Sequence, residues 1–161
     1  MKYTLLAAAL MLAAPSLFAL ETACEPLINA SKARMAQAAW HSLAEGDGIK
    51  LEAIKVDGKF YINHGKKWQK SPMDLDKAEQ IAIDSILDGS LKITNCKEEG
   101  TETIAGVETT ILGYDSEVEG TDLGKGRVKI YLGKKDGLPY QTTFDNSKAT
   151  YRYTQVTAPR L

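Results

Sequence analysis

Net charge is nearly absent from this sequence. Its 161 residues carry 20 Lys and Arg against 21 Asp and Glu, a formal charge of −1. With no basic stripe along the chain, that balance excludes the phosphate-tracking surface of a nucleic-acid partner. Histidine is scarce: His41 and His64 stand in separate segments at no metal-ligand spacing. A zinc site needs three or four convergent ligands. HExxH, GxSxG and CxxC motifs and a phosphate loop are all missing. "GTDLGKG" is rich in glycine, but it lies between strand-like segments and opens no helix, so it reads as a hairpin loop. Nothing pairs a nucleophile with a base. Neither enzyme activity nor a metal or cofactor is expected, and an enzyme would need His41 or His64 to meet carboxylates in a cleft.

Long apolar runs are missing too, except at the start. Residues 1–19, MKYTLLAAALMLAAPSLFA, begin with Lys2, run apolar over 5–14, break at Pro15 and end on Ala19. The run is too short to cross a bilayer and has the form of a secretory signal peptide cleaved after Ala19. Loss of Lys2 takes the formal charge from −1 to −2. The remainder, 20–161, reads as one domain by length, large enough to bury a core and expected in the periplasm.

Only two cysteines remain to be explained, Cys24 and Cys96. A lipid anchor on Cys24 would need a Leu–small–small–Cys box, and Glu21 stands where the large apolar residue belongs. A reactive thiol would need a second close Cys or a neighbouring His, and neither cysteine has one in sequence. An exported chain with two cysteines is most simply read as holding one disulfide. A Cys24–Cys96 bridge closes a loop of roughly 70 residues, worth about 4 kcal/mol. It would tie the start of the first helix to the sheet.

The rest of the chain alternates helix and strand signals. Positions 25–44 read as a first helix: Pro26 suits its first turn, Ile28, Met35, Ala39 and Leu43 recur at helical spacing, and Gly46 and Gly48 end it. Trp40 falls on this helix. "GIKLEAIKV" alternates, Asp57-Gly58 makes a hairpin turn, "KFYINH" returns, and "KWQKS" follows a turn at Gly65. Ser71 reads as the N-cap of a second helix, with Pro72 first in it and Asp74 supporting the cap; the helix stops at Gly89. Its Leu75, Ala78, Ile81, Ala82, Ile83, Ile86 and Leu87 cover more than one face, as in a helix buried on two sides or covering a cavity. From Leu91 about five antiparallel strands follow. Val128, Ile130 and Leu132 share a face opposite Arg127, Lys129 and Tyr131. The tyrosines and phenylalanines spread over these strands read, one by one, as core residues.

Four stretches carry a family resemblance. "KFYINHGKKWQKSP" resembles a hairpin of the LolA-like superfamily, which holds the outer-membrane and mycobacterial lipoprotein carriers. "ETIAGVETTILGYDSE" resembles its Gly-Val turn within a long hairpin, and "GKGRVKIYLGKKDGLPYQTTFD" its strand, acidic-Gly-Leu-Pro turn and returning strand. "YRYTQVTAP" resembles the closing strand, so the likeness runs from about position 24 to 159. It implies an α+β fold, an unclosed antiparallel β half-barrel covered on its concave face by two helices, with an apolar cavity between.

The resemblance also implies a function. The protein would be a monomeric, non-catalytic carrier of a lipid, acylated or other apolar ligand, served by a membrane-associated donor or acceptor protein. A long acyl chain costs on the order of 10 kcal/mol to keep in water, at about 0.8 kcal/mol per methylene. The second helix, with Ile83, Ile86 and Leu87, would be the lid, beside Met35, Ala39 and Leu43 of the first. Phe60, Ile62, Trp68, Val128, Ile130, Leu132 and Phe144 would be the walls. A one-residue register shift would exchange the sets of wall residues. The second reading is a protein-binding accessory module on the same fold, with a filled cavity and a sheet edge or loop doing the work.

Overall fold

Two runs of hairpins meet in the middle of one sheet. The computed structural model describes residues 19–161 apart from Lys66 and Leu123; the proposed leader, up to residue 18, lies outside the described residues. β1 (Ala39–Gly46), β2 (Ile49–Val56), β3 (Lys59–Asn63) and β4 (Trp68–Lys70) form the first run. β5 (Leu91–Ile104), β6 (Val107–Val118), β7 (Gly126–Gly133), β8 (Pro139–Phe144) and β9 (Ser147–Arg152) form the second. Pairing of β1 with β9 joins them into a nine-stranded antiparallel sheet in the order β4-β3-β2-β1-β9-β8-β7-β6-β5. β4 and β5 end the sheet without meeting, so the expected unclosed half-barrel is observed. The Asp57-Gly58 turn is a mirror-image type, with φ of 51° and 68°, whose twist suits a tight hairpin.

This topology explains the helices. The chain leaves the sheet at one end, β4, and must re-enter at the other, β5. α2 (Leu75–Asp88) makes that crossing. Asp74 caps it, its side chain accepting from the amides of Asp76 and Lys77 at 2.9 and 3.1 Å. The expected cap, Ser71, lies outside the helix in a local turn with Met73. Gly89, left-handed at φ 84°, ends α2 as expected.

α1 (Glu25–Met35) is shorter than its sequence suggests. Positions 39–44, read as helix, fall within β1, so Ala39, Trp40 and Leu43 are strand residues. Two competing claims decide this. Lys55 from β2 donates to the carbonyl of Met35 at 2.7 Å, occupying the helix end. β1 then gains a partner on each side, β2 and β9, which outweighs the modest helix preference of an alanine-rich stretch.

The core lies between α1 and the second run of strands. Leu27 and Ala30 of α1, with Cys24 just before it, pack on Ile93, Leu112, Tyr114, Val128, Ile130 and Leu132. Each large aliphatic side chain buried there contributes about 1.5–3 kcal/mol. The Cys24–Cys96 disulfide is present, with Cα atoms 5.2 Å apart, and joins the start of α1 to β5. On the other face Arg127 straps β7 to β5, reaching Glu99 at 2.5 Å over Gly113 of β6, which has no side chain to obstruct it.

Burial pushes the hydroxyls of Tyr114 and Tyr153 well above their ordinary pKa of 10. The unfolded chain therefore releases these protons near pH 10 while the folded chain keeps them. Their contribution is whole below that pH and is lost progressively above it. Thermal midpoints are expected to fall above about pH 10, and less steeply in Tyr153→Phe. That variant gives up only the bond to the Pro139 carbonyl, at 2.6 Å. An alkaline limb identical in both proteins would refute the assignment to Tyr153.

Candidate functional cleft

A trough opens on the helix-bearing face where the two runs join. Its floor is made of small residues: Ala44 of β1 lies beside Ala149 of β9, and Gly46 beside Ser147. Its walls come from the flanking strands, Ile49 and Leu51 on β2 and Thr142 and Phe144 on β8. The cleft measures about 390 Å³, is mostly apolar, and is open to solvent; no residue of α1 or α2 lines it. Ile49, on its rim, is 70% exposed.

Tyr151 ends the trough on the inner side. The Arg34 guanidinium lies 5.2 Å from its ring centre and 5.6 Å from that of Trp40. Arg34 is ion-paired with Glu79, and Lys55 with Asp76 at 2.5 Å, so both basic side chains bind the first turns of α2. Trp40 is buried against Phe60, and its Nε1 has no hydrogen-bond partner among the described residues.

The residues expected to line a cavity are dispersed. Phe144 alone borders this cleft. Val128, Ile130 and Leu132 are buried in solid core beneath α1, with Ile86 packed at its margin. Ile83 is 1% exposed and belongs to the helix docking surface, while Leu87 is 50% exposed and lies outside the trough. Met35 ends α1 half-buried. Ala39 and Leu43 moved with β1, and Leu43 alternates to the opposite face, as does Trp68, whose ring centre is 6.1 Å from His41. Phe60 and Ile62 lie on the helix-bearing face of β3 but outside the trough. The lining residues that went unread are the wall and end residues Ile49, Leu51, Thr142 and Tyr151 and the small floor residues Ala44, Gly46 and Ala149, whose signal is the absence of bulk on two adjacent strands.

His41 does meet a carboxylate beside a cleft. Its Nε2 lies 2.9 Å from Glu52, and Arg152 Nε donates to its Nδ1 at 2.9 Å. Nδ1 accepts from Arg152, which leaves the Nε2 side of the ring to pair with Glu52. The neighbouring cleft, about 330 Å³, is bordered by Leu43, Ile104, Tyr140 and Thr150. Tyr140, whose pKa burial and its bond to Asp136 raise to about 12, offers no ready nucleophile. His64 is exposed. Among the described residues no group of three His, Cys, Asp or Glu side chains converges as a metal site.

An unclosed antiparallel sheet with two helices on one face and an open apolar trough beside them is the architecture of a half-barrel. No protein-family model and no curated protein matches the chain. Solved structures do. Lipoprotein LppX of Mycobacterium tuberculosis superposes with a TM-score of 0.57 at 12% identity, over 84% of this chain and 97% of that one. LprF of Mycobacterium bovis gives 0.51 at 13%, over 86% and 96%. The MucA/MucB complex of Pseudomonas aeruginosa gives 0.44 at 13%, over 86% and 59%. At such identities the likeness is one of fold.

Proposed function

We propose that the protein is a non-catalytic periplasmic carrier for a lipid, acylated or other apolar ligand, exported by its leader and working as a single domain. The observation that carries this reading is the open apolar trough on the helix-bearing face. Apolar surface of this kind facing water is costly, and covering it with a hydrocarbon chain recovers about 25 cal/mol per Å². The charged residues of the trough, Glu45, Asp47 and Lys148, are exposed at its border, and its inner surface is mostly apolar. A membrane-associated donor or acceptor protein is the natural partner for such cargo.

Native mass spectrometry of protein purified from its own periplasm, followed by organic extraction and lipid analysis, tests the proposal. A stoichiometric lipid released on extraction is the expected result. A ligand-free mass, with no uptake of added fatty acid or phospholipid, would overturn it. One observation favours the second reading, a protein-binding module: much of the space under the helices is filled by Val128, Ile130 and Leu132, while Ile81 of α2 stays 66% exposed.

A further inference from the structure

We infer that the trough takes one unbranched hydrocarbon chain and does not read the charge of its head group. This deepens the carrier reading and rests on it. The first argument is shape. The two floor strands present Ala44, Ala149, Gly46 and Ser147, and the walls rise only on the strands beyond them. Small residues on two adjacent strands between bulky ones make a groove that runs along the strands, one chain wide. The floor is packed closely: a methyl on Gly46 would overlap the Ser147 side chain. The volume, about 390 Å³, stands near the lower end of the roughly 300–1,000 Å³ usual for small-ligand pockets. Tyr151 blocks the inner end, and Arg34, behind it, is already bound to Glu79. A chain therefore lies with its methyl end at Tyr151 and its head at the Asp47-Gly48 turn, in water.

The second argument is charge. On the helix-bearing face the trough offers only the hydroxyls of Thr142, Ser147 and Tyr151. Lys148 and Glu45, at its border, alternate to the opposite face, where they stand directly across from each other in the register. No cation is aimed at an anionic head; the one carboxylate in the turn where the head lies, Asp47, is exposed, so water screens its charge.

Titration of the delipidated protein with dodecanoic acid, its glycerol monoester and a two-chain phosphatidylglycerol tests this. Displacement of a fluorescent fatty acid and native mass spectrometry give the readout. Dodecanoic acid and the monoester are expected to bind one to one with affinities within about threefold of each other. Lys148→Gln should leave both within about threefold, and Ala149→Leu, which fills the floor, should weaken both by at least about tenfold. A thermal melt establishes that each variant is folded. The inference is overturned by stoichiometric uptake of the phospholipid in preference to single chains. A more than tenfold preference for the acid that Lys148→Gln abolishes, or unchanged binding by folded Ala149→Leu, would also overturn it. Failure of all three probes to bind would overturn the carrier reading itself.

Discussion

Replacing both cysteines, Cys24→Ser with Cys96→Ser, is expected to cost the folded protein about 4 kcal/mol. The bridge spans a sequence separation of 72 residues, so it removes much freedom from the unfolded chain. Cys24 is also fully buried within the core, and a serine hydroxyl there would have to find a partner or go without. For a chain of this size each kcal/mol moves the thermal midpoint by about 2–4 °C, so a drop on the order of 10 °C is expected. Melts of the oxidised protein and the double variant measure it. A drop equivalent to less than about 1 kcal/mol would mean that Leu27 and Ala30 hold α1 in place without the bridge. Intact mass with and without reductant checks the pairing in the exported protein, and an acylated Cys24 would appear there as an added lipid mass.

Ile83→Asp is expected to be more damaging still. Ile83 is the one buried residue of α2, and an unpartnered carboxylate in its place costs upwards of about 4 kcal/mol. The protein should fail to accumulate or should lose the docking of α2. Ile86→Asp, at the margin of the core, should cost less. Ile81→Asp, at a site 66% exposed, should change stability by no more than about 0.5 kcal/mol. Urea midpoints of the three variants give the ranking directly, and any other order would mean that α2 sits differently. Because no α2 residue lines the trough, a stable Ile81→Asp should bind ligand as the parent does.

The parts of this fold that were legible in the sequence share a cause. The Asp57-Gly58 hairpin, the stop at Gly89 and the strands from Leu91 onward all rest on local chemistry: turn residues, a left-handed cap and alternating bulk. The resemblance to the LolA-like superfamily holds as a fold, and the Cys24–Cys96 pairing holds with it. β1 was illegible for a reason tied to the trough. A strand is recognised by large residues every second position, but the helix-bearing positions beyond Trp40 are Ser42, Ala44 and Gly46. Those small side chains, with Met35, Ala39 and Leu43 at fourfold spacing, imitate a helix. The same smallness hid the trough, because a search for walls finds Val128, Ile130 and Leu132, which are packed, and overlooks a floor made of missing atoms.

A half-barrel that never closes keeps two strands with a bare side, and bare strands invite a neighbouring copy to add on. Here both are poor templates for polymerisation. β4 has only three residues and ends on Lys70. β5 is long, yet its register with β6 slips twice, between Thr94 and Lys97 and between Glu98 and Thr101, with Asn95 at φ 52° and Gly100 at φ 116°. Each slip turns the backbone out of line, and Lys97, Glu98, Glu99 and Glu102 crowd that border with charge. The sheet thus stays open to one side, as an unclosed barrel must, while discouraging the end-to-end stacking that would turn a dispersed protein into fibres.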